Sequence, residues 1–410
     1  MMTNAPCPEG THACVPKHAL RCAGTNHENR FLSTLSSILS HRGERRHFRG
    51  AIFQQRRSCM GRKGLLGLSL SFLAVTFFSG TFDMAHGQAK PIELSYSSFF
   101  PAQYGLGKAA TAWAEEIGKR TNGRVKITLY HAGTLTDAAS CYEGVVKGIS
   151  DIGQSVLAYT RGRFPLMEII DLPGYPPNAL VTTYAADDFY RKFRPKELAD
   201  THVLYFHAHI PGTITTVKKP VRTLEDLKGL KIRATGLATK IIEAFGATPV
   251  AMPIGEQYDA MRKGVVDGTV ASPNTLLGWK VAEVAKYSTM LSDVGYVSAM
   301  FITMNLEKWN GLPPDIQKVF TDVSKDWVEY TGKVWNDIEI EGYRFGKKAG
   351  HIFIYLTPEE RARWERAVKP LQDNYVKTME AKGLPGKEAL DYRQQIIEKY
   401  GKVYPPLKFE

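Results

Sequence analysis

Two histidines, His207 and His209, stand two residues apart in a segment whose composition predicts a β-strand, 205–209. Alternate residues of a strand face the same side of a sheet, so the two imidazoles would share one face. Imidazole is the commonest metal ligand in proteins, and a metal pair is one interpretation. A metal site needs further ligands, and no carboxylate or third histidine lies close by in the sequence. We therefore expect no bound metal and expect hydrogen-bonded histidines in a core or pocket.

The motifs that commonly carry catalysis are missing after residue 90. That part of the sequence has no Gly-x-x-x-x-Gly-Lys-Ser/Thr phosphate loop, no Gly-x-Ser-x-Gly elbow and no His-Glu-x-x-His helix. Gly105-Leu106-Gly107 begins a predicted helix, but a third glycine at the dinucleotide-binding spacing is missing. No acid-base pair or activated nucleophile is recognisable, so we expect a protein that is not an enzyme and uses no cofactor.

Charge and cysteine content divide the chain near residue 60. The formal net charge is +12, yet residues 1–59 hold nine Lys or Arg against three Asp or Glu, and residues 90–410 carry only +5. Nucleic-acid binding needs a basic patch on the folded domain, and we expect no such partner. Cys141 is the one cysteine after residue 59, and we expect it to be a small buried hydrophobe on a helix.

Residues 60–89 have the three parts of a secretory signal peptide. Arg62 and Lys63 form the basic start, and fourteen apolar or small residues follow at 65–78. Small residues before position 90 offer a cleavage site after Ala89. The apolar run is shorter than the roughly 20 residues that span a bilayer. We expect export to the periplasm.

A signal peptide normally begins within a few residues of the N-terminus of a protein, whereas this one begins at Met60, after residues 1–59. We expect Met60 to be the true initiator and 1–59 to be a non-native or disordered extension. The alternative is a transmembrane anchor at 65–78 with a cytoplasmic tail. Cys7 and Cys14 lie near His12 and His18, but their spacing fits no standard zinc finger.

Strand and helix patterns alternate from residue 90 to about 270. The alternation of apolar and polar residues in 92–96 predicts a strand, and apolar residues at helical spacing in 106–117 predict a helix. A capping-box pattern at 223–226 predicts a short helix that ends at Gly229. From Pro313, the pattern predicts a long helix that reaches about Gly342, and a second helix begins at Thr357. Repeated β-α units favour a largely parallel sheet covered by helices.

The segment Lys228-Gly229-Leu230-Lys231-Ile232-Arg233 resembles the solute-binding subunits of tripartite ATP-independent periplasmic (TRAP) transporters, a family that includes dicarboxylate-binding proteins. The resemblance runs from Pro91 to about Ala349, and its specificity comes from an ordered set of motifs after a signal peptide. The supporting segments are 113–117, 121–125, 133–135, 148–151, 244–250, 256–258 and 264–268.

This resemblance implies an α/β fold of the two-lobed, type II-like periplasmic binding protein class. A ligand cleft would lie between the lobes, and long helices would follow at the C-terminus. Lobe I would comprise 90–211 and 297–336. Lobe II would comprise 212–296 and 337–410, with the C-terminal helices packed across.

The resemblance also implies a function. The protein would capture a small organic carboxylate and deliver it to a small and a large integral membrane subunit. Uptake would be driven by an ion gradient, usually sodium. A carboxylate sensor domain for a signalling partner is the alternative. A monomer is the default for this class, and a dimer stays open.

In the resembled family, the arginine of the Lys-Ile-Arg segment holds the ligand carboxylate, which implies this role for Arg233. A planar guanidinium matches a carboxylate with two parallel hydrogen bonds. Sialic-acid-binding relatives carry a second arginine and an asparagine where this sequence has Ile214 and Ala271. We therefore expect one carboxylate on a modest apolar or aromatic body. The remaining candidates, each of which could instead be a core residue or a turn or cap residue, are Phe99, Phe100, Tyr159, His209, Ser272, Asn274 and Trp279.

Overall fold

The computed structural model describes residues 90–409, all of which lie in one compact unit, Met84–Glu410. The predictions for the extension 1–59 and the signal peptide 60–89 lie outside the described residues. Within 90–409, no helix is both long and apolar enough to cross a membrane.

The described residues form eleven strands and ten α-helices. The strands are β1 Ile92–Ser98, β2 Val125–Tyr130, β3 Ile152–Val156, β4 Thr201–Ala208, β5 Thr213–Thr216, β6 Lys231–Ala234, β7 Thr248–Ala251, β8 Gly268–Ala271, β9 Tyr287–Met290, β10 Ala299–Asn305 and β11 Ile352–Tyr355. The helices are α1 Gly105–Arg120, α2 Cys141–Val146, α3 Ala179–Phe193, α4 Ala238–Ala244, α5 Gln257–Arg262, α6 Thr275–Gly278, α7 Leu306–Asn310, α8 Pro314–Lys348, α9 Pro358–Ala381 and α10 Gly386–Gly401.

Two mixed sheets organise these elements, and the predicted α/β class is confirmed. The first sheet has the order β2-β1-β3-β10-β4, and the second has the order β11-β9-β5-β8-β6-β7. β1 pairs in parallel with β2 and β3, and β6 pairs in parallel with β7 and β8. β10 and β5 run antiparallel to their neighbours, unlike the largely parallel expectation. Each of these two strands is preceded in the chain by a strand of the other sheet.

Local sequence explains where the first helix begins and ends. The buried face of α1 includes Leu106, Ala110, Trp113 and Ile117, which recur at helical spacing and pack on the first sheet. After α1, Asn122 and Gly123 adopt φ values of 52° and 76°, a left-handed turn that suits these residue types.

The capping box at Thr223 and Asp226 is present, as predicted, but the element that it opens is not an α-helix. Asp226 accepts a hydrogen bond from the Thr223 amide at 3.1 Å. The chain then makes one 3₁₀ turn, Leu224–Leu227, and enters β6 after Gly229, whose φ is 78°. Three residues between the turn and the strand leave no room for a further α-helical turn.

The long helix α8 packs against elements of both lobes. It contacts α1, α3 and β4 beside the first sheet, and α6 and β11 beside the second. α9 packs against α4 beside the second sheet, whereas α10 packs against α3 beside the first. We use "first lobe" for the first sheet with α1–α3, and "second lobe" for the second sheet with α4–α6. The lobe boundaries at residues 211, 297 and 337 stay a prediction.

Candidate functional site

One cavity draws its walls from both lobes. About 420 Å³ of space lies between these walls, including space that is open to solvent. The structure brings all eight sequence-predicted residues to its lining: Phe99, Phe100, Tyr159, His209, Arg233, Ser272, Asn274 and Trp279. Their role in ligand binding stays a prediction.

Arg233 is the cationic group of the cavity. It lies on β6 and is only 2% exposed. Its Nε donates to the Met252 carbonyl at 2.8 Å, and Nη1 donates to the Val270 carbonyl at 3.3 Å. Within residues 90–409, no Asp or Glu lies within 4.0 Å of the guanidinium. A buried cation without an anion is costly, and the site therefore suits an anionic ligand.

Tyr159 lies beside this guanidinium and connects the two lobes. It ends the 3₁₀ turn Leu157–Tyr159 after β3, and its hydroxyl accepts a hydrogen bond from the Ile254 amide at 3.1 Å. Burial raises the pKa of Tyr159, and the nearby Arg233 charge offsets part of that rise. The phenol thus stays neutral and can donate a hydrogen bond toward the cavity.

Aromatic rings form most of the remaining wall. Phe99 and Phe100 follow β1 in the first lobe, and Trp279 follows α6 in the second. The rings of Phe99 and Trp279 are nearly parallel, at 15°, with centroids 6.5 Å apart. The Phe99 ring also meets Tyr159 edge-on at 5.8 Å. Flat apolar walls of this kind suit an aromatic or compact apolar ligand body.

His209 and His207 are both held by protein groups. His209 Nδ1 lies 2.5 Å from the Ile210 carbonyl, and its Nε2 accepts from the Ser298 amide at 3.1 Å. Burial lowers the pKa of His209 to about 4 and that of His207 to about 3. His207 Nδ1 accepts from Trp335 Nε1 at 2.9 Å. These neutral rings fit the predicted hydrogen-bonded pocket histidines.

Glu339 of α8 holds Ser272 and Asn274 in place, and the sequence reasoning missed it. Its carboxylate accepts from Ser272 Oγ at 2.6 Å, from the Asn274 amide at 2.8 Å and from Asn274 Nδ2 at 2.7 Å. Burial raises the pKa of Glu339 to about 7. A signal existed, because Glu339 falls four residues after Trp335 on the buried stripe of α8.

Tyr104 was missed as well. Its hydroxyl donates to Asn274 Oδ1 from across the cavity, and its ring stacks on Phe100 with centroids 5.2 Å apart. Nothing in the local pattern distinguishes this tyrosine from a core residue. The other lining residues that sequence reasoning did not name are Val156, Thr235, Ile254, Thr275, Tyr296, Ser298, Met300 and Trp335.

Comparison with known proteins identifies a matching family. The model described as "Bacterial extracellular solute-binding protein, family 7" matches residues 96–378. Among curated relatives, the C4-dicarboxylate-binding periplasmic protein DctP of Rhodobacter capsulatus is 28% identical over 316 residues, 73% of this chain and 91% of that protein.

Solved structures with a similar fold contain bound carboxylates. A marine metagenome TRAP solute-binding protein specific for aromatic acid ligands, in complex with metahydroxyphenylacetate, is 28% identical with a TM-score of 0.72 and covers 75% of this chain and 99% of its own. A TRAP solute-binding protein from Rhodoferax ferrireducens with benzoate is 27% identical with a TM-score of 0.73, covering 76% and 99%. A third, from Bordetella bronchiseptica with bound mandelate, is 26% identical with a TM-score of 0.72, covering 76% and 100%.

Proposed function

Since the chain belongs to family 7 of the bacterial extracellular solute-binding proteins, which comprises TRAP solute-binding proteins, we propose that Arg233 captures the carboxylate of a small aromatic acid in its cavity. The observation that carries this proposal is the buried Arg233 guanidinium, which lines the cavity without an acidic partner among residues 90–409. A ligand carboxylate supplies the missing negative charge and accepts charge-assisted hydrogen bonds.

The cavity offers a charged partner for only one charged group of the ligand. Arg233 is the one Lys or Arg in the cavity lining of the described chain. On another wall, Ser272, Asn274 and Glu339 already hydrogen-bond to one another. A second ligand carboxylate would meet a buried acid rather than a base, which is unfavourable. This charge distribution supports a monocarboxylate, in contrast to the dicarboxylate in the name of the Rhodobacter relative.

The aromatic walls support a planar ligand body. Phe99 and Trp279 present near-parallel faces from opposite lobes. Relatives that are 26–28% identical bind metahydroxyphenylacetate, benzoate and mandelate, all of which join one carboxylate to one ring. The ligand that we propose here belongs to this chemical class.

The cellular role follows from the family. Its members are periplasmic binding proteins, and transport is favoured over the sensor alternative. The signal peptide at 60–89 exports the chain, and the ligand-bound form docks on the small and large membrane subunits of a TRAP transporter. Binding is reversible and leads to no chemical turnover.

A library of organic acids tests the proposal by thermal shift, after the protein has been unfolded and refolded to remove copurified ligand. A ligand that binds only the native state raises the melting temperature as its concentration rises. Benzoate, mandelate and hydroxyphenylacetate should do so, and succinate should not. A response to dicarboxylates alone, or to no acid, would contradict the proposed ligand class.

A further inference from the structure

The long helix α8 is anchored to both lobes beside the cavity. Trp335 Nε1 donates to His207 of β4 in the first lobe at 2.9 Å. Asn336 Oδ1 accepts from the amide of Ala179, at the start of α3, at 2.7 Å. Only three residues later, Glu339 is bonded to the second lobe. The hydrogen-bond partners of α8 thus change from the first lobe to the second between residues 336 and 339.

Glu339 fixes the orientation of the Asn274 amide. The two Nδ2 hydrogens of Asn274 are directed to Glu339 Oε1 at 2.7 Å and to Ser272 Oγ at 2.6 Å. Glu339 Oε2 accepts the Asn274 backbone amide at 2.8 Å. An ionised carboxylate can only accept, so the amide nitrogen faces it and Oδ1 points away. That oxygen points to the hydroxyl of Tyr104.

The Tyr104 ring lies in a recess of the second lobe, beside Gly278. It lies so close to Gly278 that a Cβ on this residue would overlap the ring atoms Cδ2 and Cε2. The ring also lies 5.9 Å from that of Trp279, centroid to centroid, and is only 8% exposed. Tyr104 itself belongs to the first lobe, just before α1. The phenol therefore docks from one lobe into a recess of the other.

We propose that Tyr104 is a latch that holds the cleft closed over its ligand, and that Glu339 is a positioning residue that keeps Asn274 ready to receive it. Closure around a ligand requires contacts that exist only in the closed form. The Tyr104–Asn274 hydrogen bond joins the two lobes directly and uses no ligand atom. The latch rests on the proposed function for its purpose, although its geometry is independent of which acid binds.

Dissociation kinetics test the latch with benzoate as the probe. Tyr104→Phe removes the donor, Glu339→Gln frees the Asn274 amide to rotate, and the double variant removes both. A net hydrogen bond of about 1 kcal/mol corresponds to roughly a 5-fold change. Each single variant should release benzoate about 5-fold faster with little change in association rate, and the double variant should be no faster than either. Effects that multiply, or an unchanged rate in Glu339→Gln, would overturn the proposal.

Gly278→Ala is a second variant that leaves the hydrogen-bonding groups intact. The added methyl fills the recess and should also accelerate benzoate release. Gly255→Ala is the matched control, because its Cβ would lie 3.8 Å from Trp279, an ordinary contact. Equal rates for these two glycine variants would contradict docking of Tyr104 at Gly278.

A ligand-free experiment separates the latch from the proposed function. Amide hydrogen exchange reports local opening on both sides of the cleft. Glu339→Gln should raise exchange by several-fold in residues 101–106, the segment that contains Tyr104. Tyr104→Phe should do the same in residues 273–278. Exchange changes confined to α8 and residues 272–275 in Glu339→Gln, or to residues 101–106 in Tyr104→Phe, would overturn the latch. Failure of wild-type protein to bind any aromatic acid would instead contradict the proposed function.

Discussion

The ring planes of Phe99 and Trp279 lie 15° apart, and their centroids are 6.5 Å from each other. Phe99 follows β1 in the first lobe, and Trp279 follows α6 in the second. The distance between the two rings therefore depends on how far the cleft is closed. Aromatic pairs at such distances contribute through offset stacking. The gap between the two rings therefore links the shape of the ligand that fits to the degree of cleft closure.

Phe99→Leu should selectively weaken the binding of aromatic acids. Loss of one ring contact costs about 0.5–1.5 kcal/mol, or roughly 2- to 12-fold in affinity. Benzoate should show this loss in titration calorimetry, whereas cyclohexanecarboxylate, which has no aromatic face, should bind with nearly unchanged affinity. Equal losses for the two acids would show that Phe99 only fills space.

The buried carboxyl of Glu339 should make stability depend on pH in a defined direction. Burial raises its pKa to about 7, against a usual value of 4.5, so the folded protein binds more protons than the unfolded chain between these values. Stability should therefore fall as pH rises from about 4.5 to 7, by up to about 3 kcal/mol from this group.

Urea unfolding at several pH values, compared between wild type and Glu339→Gln, isolates that contribution. The difference in unfolding free energy between the two proteins should change between about pH 4.5 and pH 7 and be constant outside this interval. The other titrating groups, including His207 and His209 with their depressed pKa values, cancel in the comparison. A difference that is independent of pH would show that Glu339 stays ionised throughout.

Gly212→Ala should destabilise the protein at the first crossing between the lobes. The Gly212 amide donates to the Tyr296 carbonyl at 2.8 Å, and an added Cβ would overlap the Tyr296 ring. Overpacking of this kind costs about 1–3 kcal/mol. Gly118→Ala in α1 is the control, since its Cβ would lie 3.6 Å from its nearest neighbour and alanine favours a helix. Equal unfolding midpoints for the two variants would contradict this packing.

Much of the fold could be predicted from local patterns, and the failures have physical causes. The sequence predicted α8 to end near Gly342, whereas it continues to Lys348. Gly342 and Gly346 are not stop signals here, because a Cβ at either would overlap residues 273–276 on the second lobe. Close helix packing requires these glycines. The direction of β5 and β10 relative to their neighbours likewise depends on tertiary strand pairing, which periodicity does not encode.

The residues of the cavity likewise fall into those that local sequence could identify and those that only tertiary contacts reveal. Phe99 could be nominated because it follows a predicted strand, and Arg233 because it lies in the motif of a resembled family. Glu339 and Tyr104 could not, since their importance comes from partners 65 and 170 residues away along the chain. A buried acid on the apolar stripe of α8 was the only sequence signal.

Titration calorimetry of benzoate with wild type and Arg233→Gln tests the central claim most directly. Removing one member of a buried charge pair costs about 2–5 kcal/mol, so affinity should fall by roughly 30-fold or more. Arg393→Gln is the matched control, because Arg393 is equally buried but lies on α10, bonded to Tyr175 and outside the cavity. This control should lower stability and leave benzoate affinity nearly unchanged. Undiminished benzoate binding by Arg233→Gln would contradict carboxylate capture by Arg233.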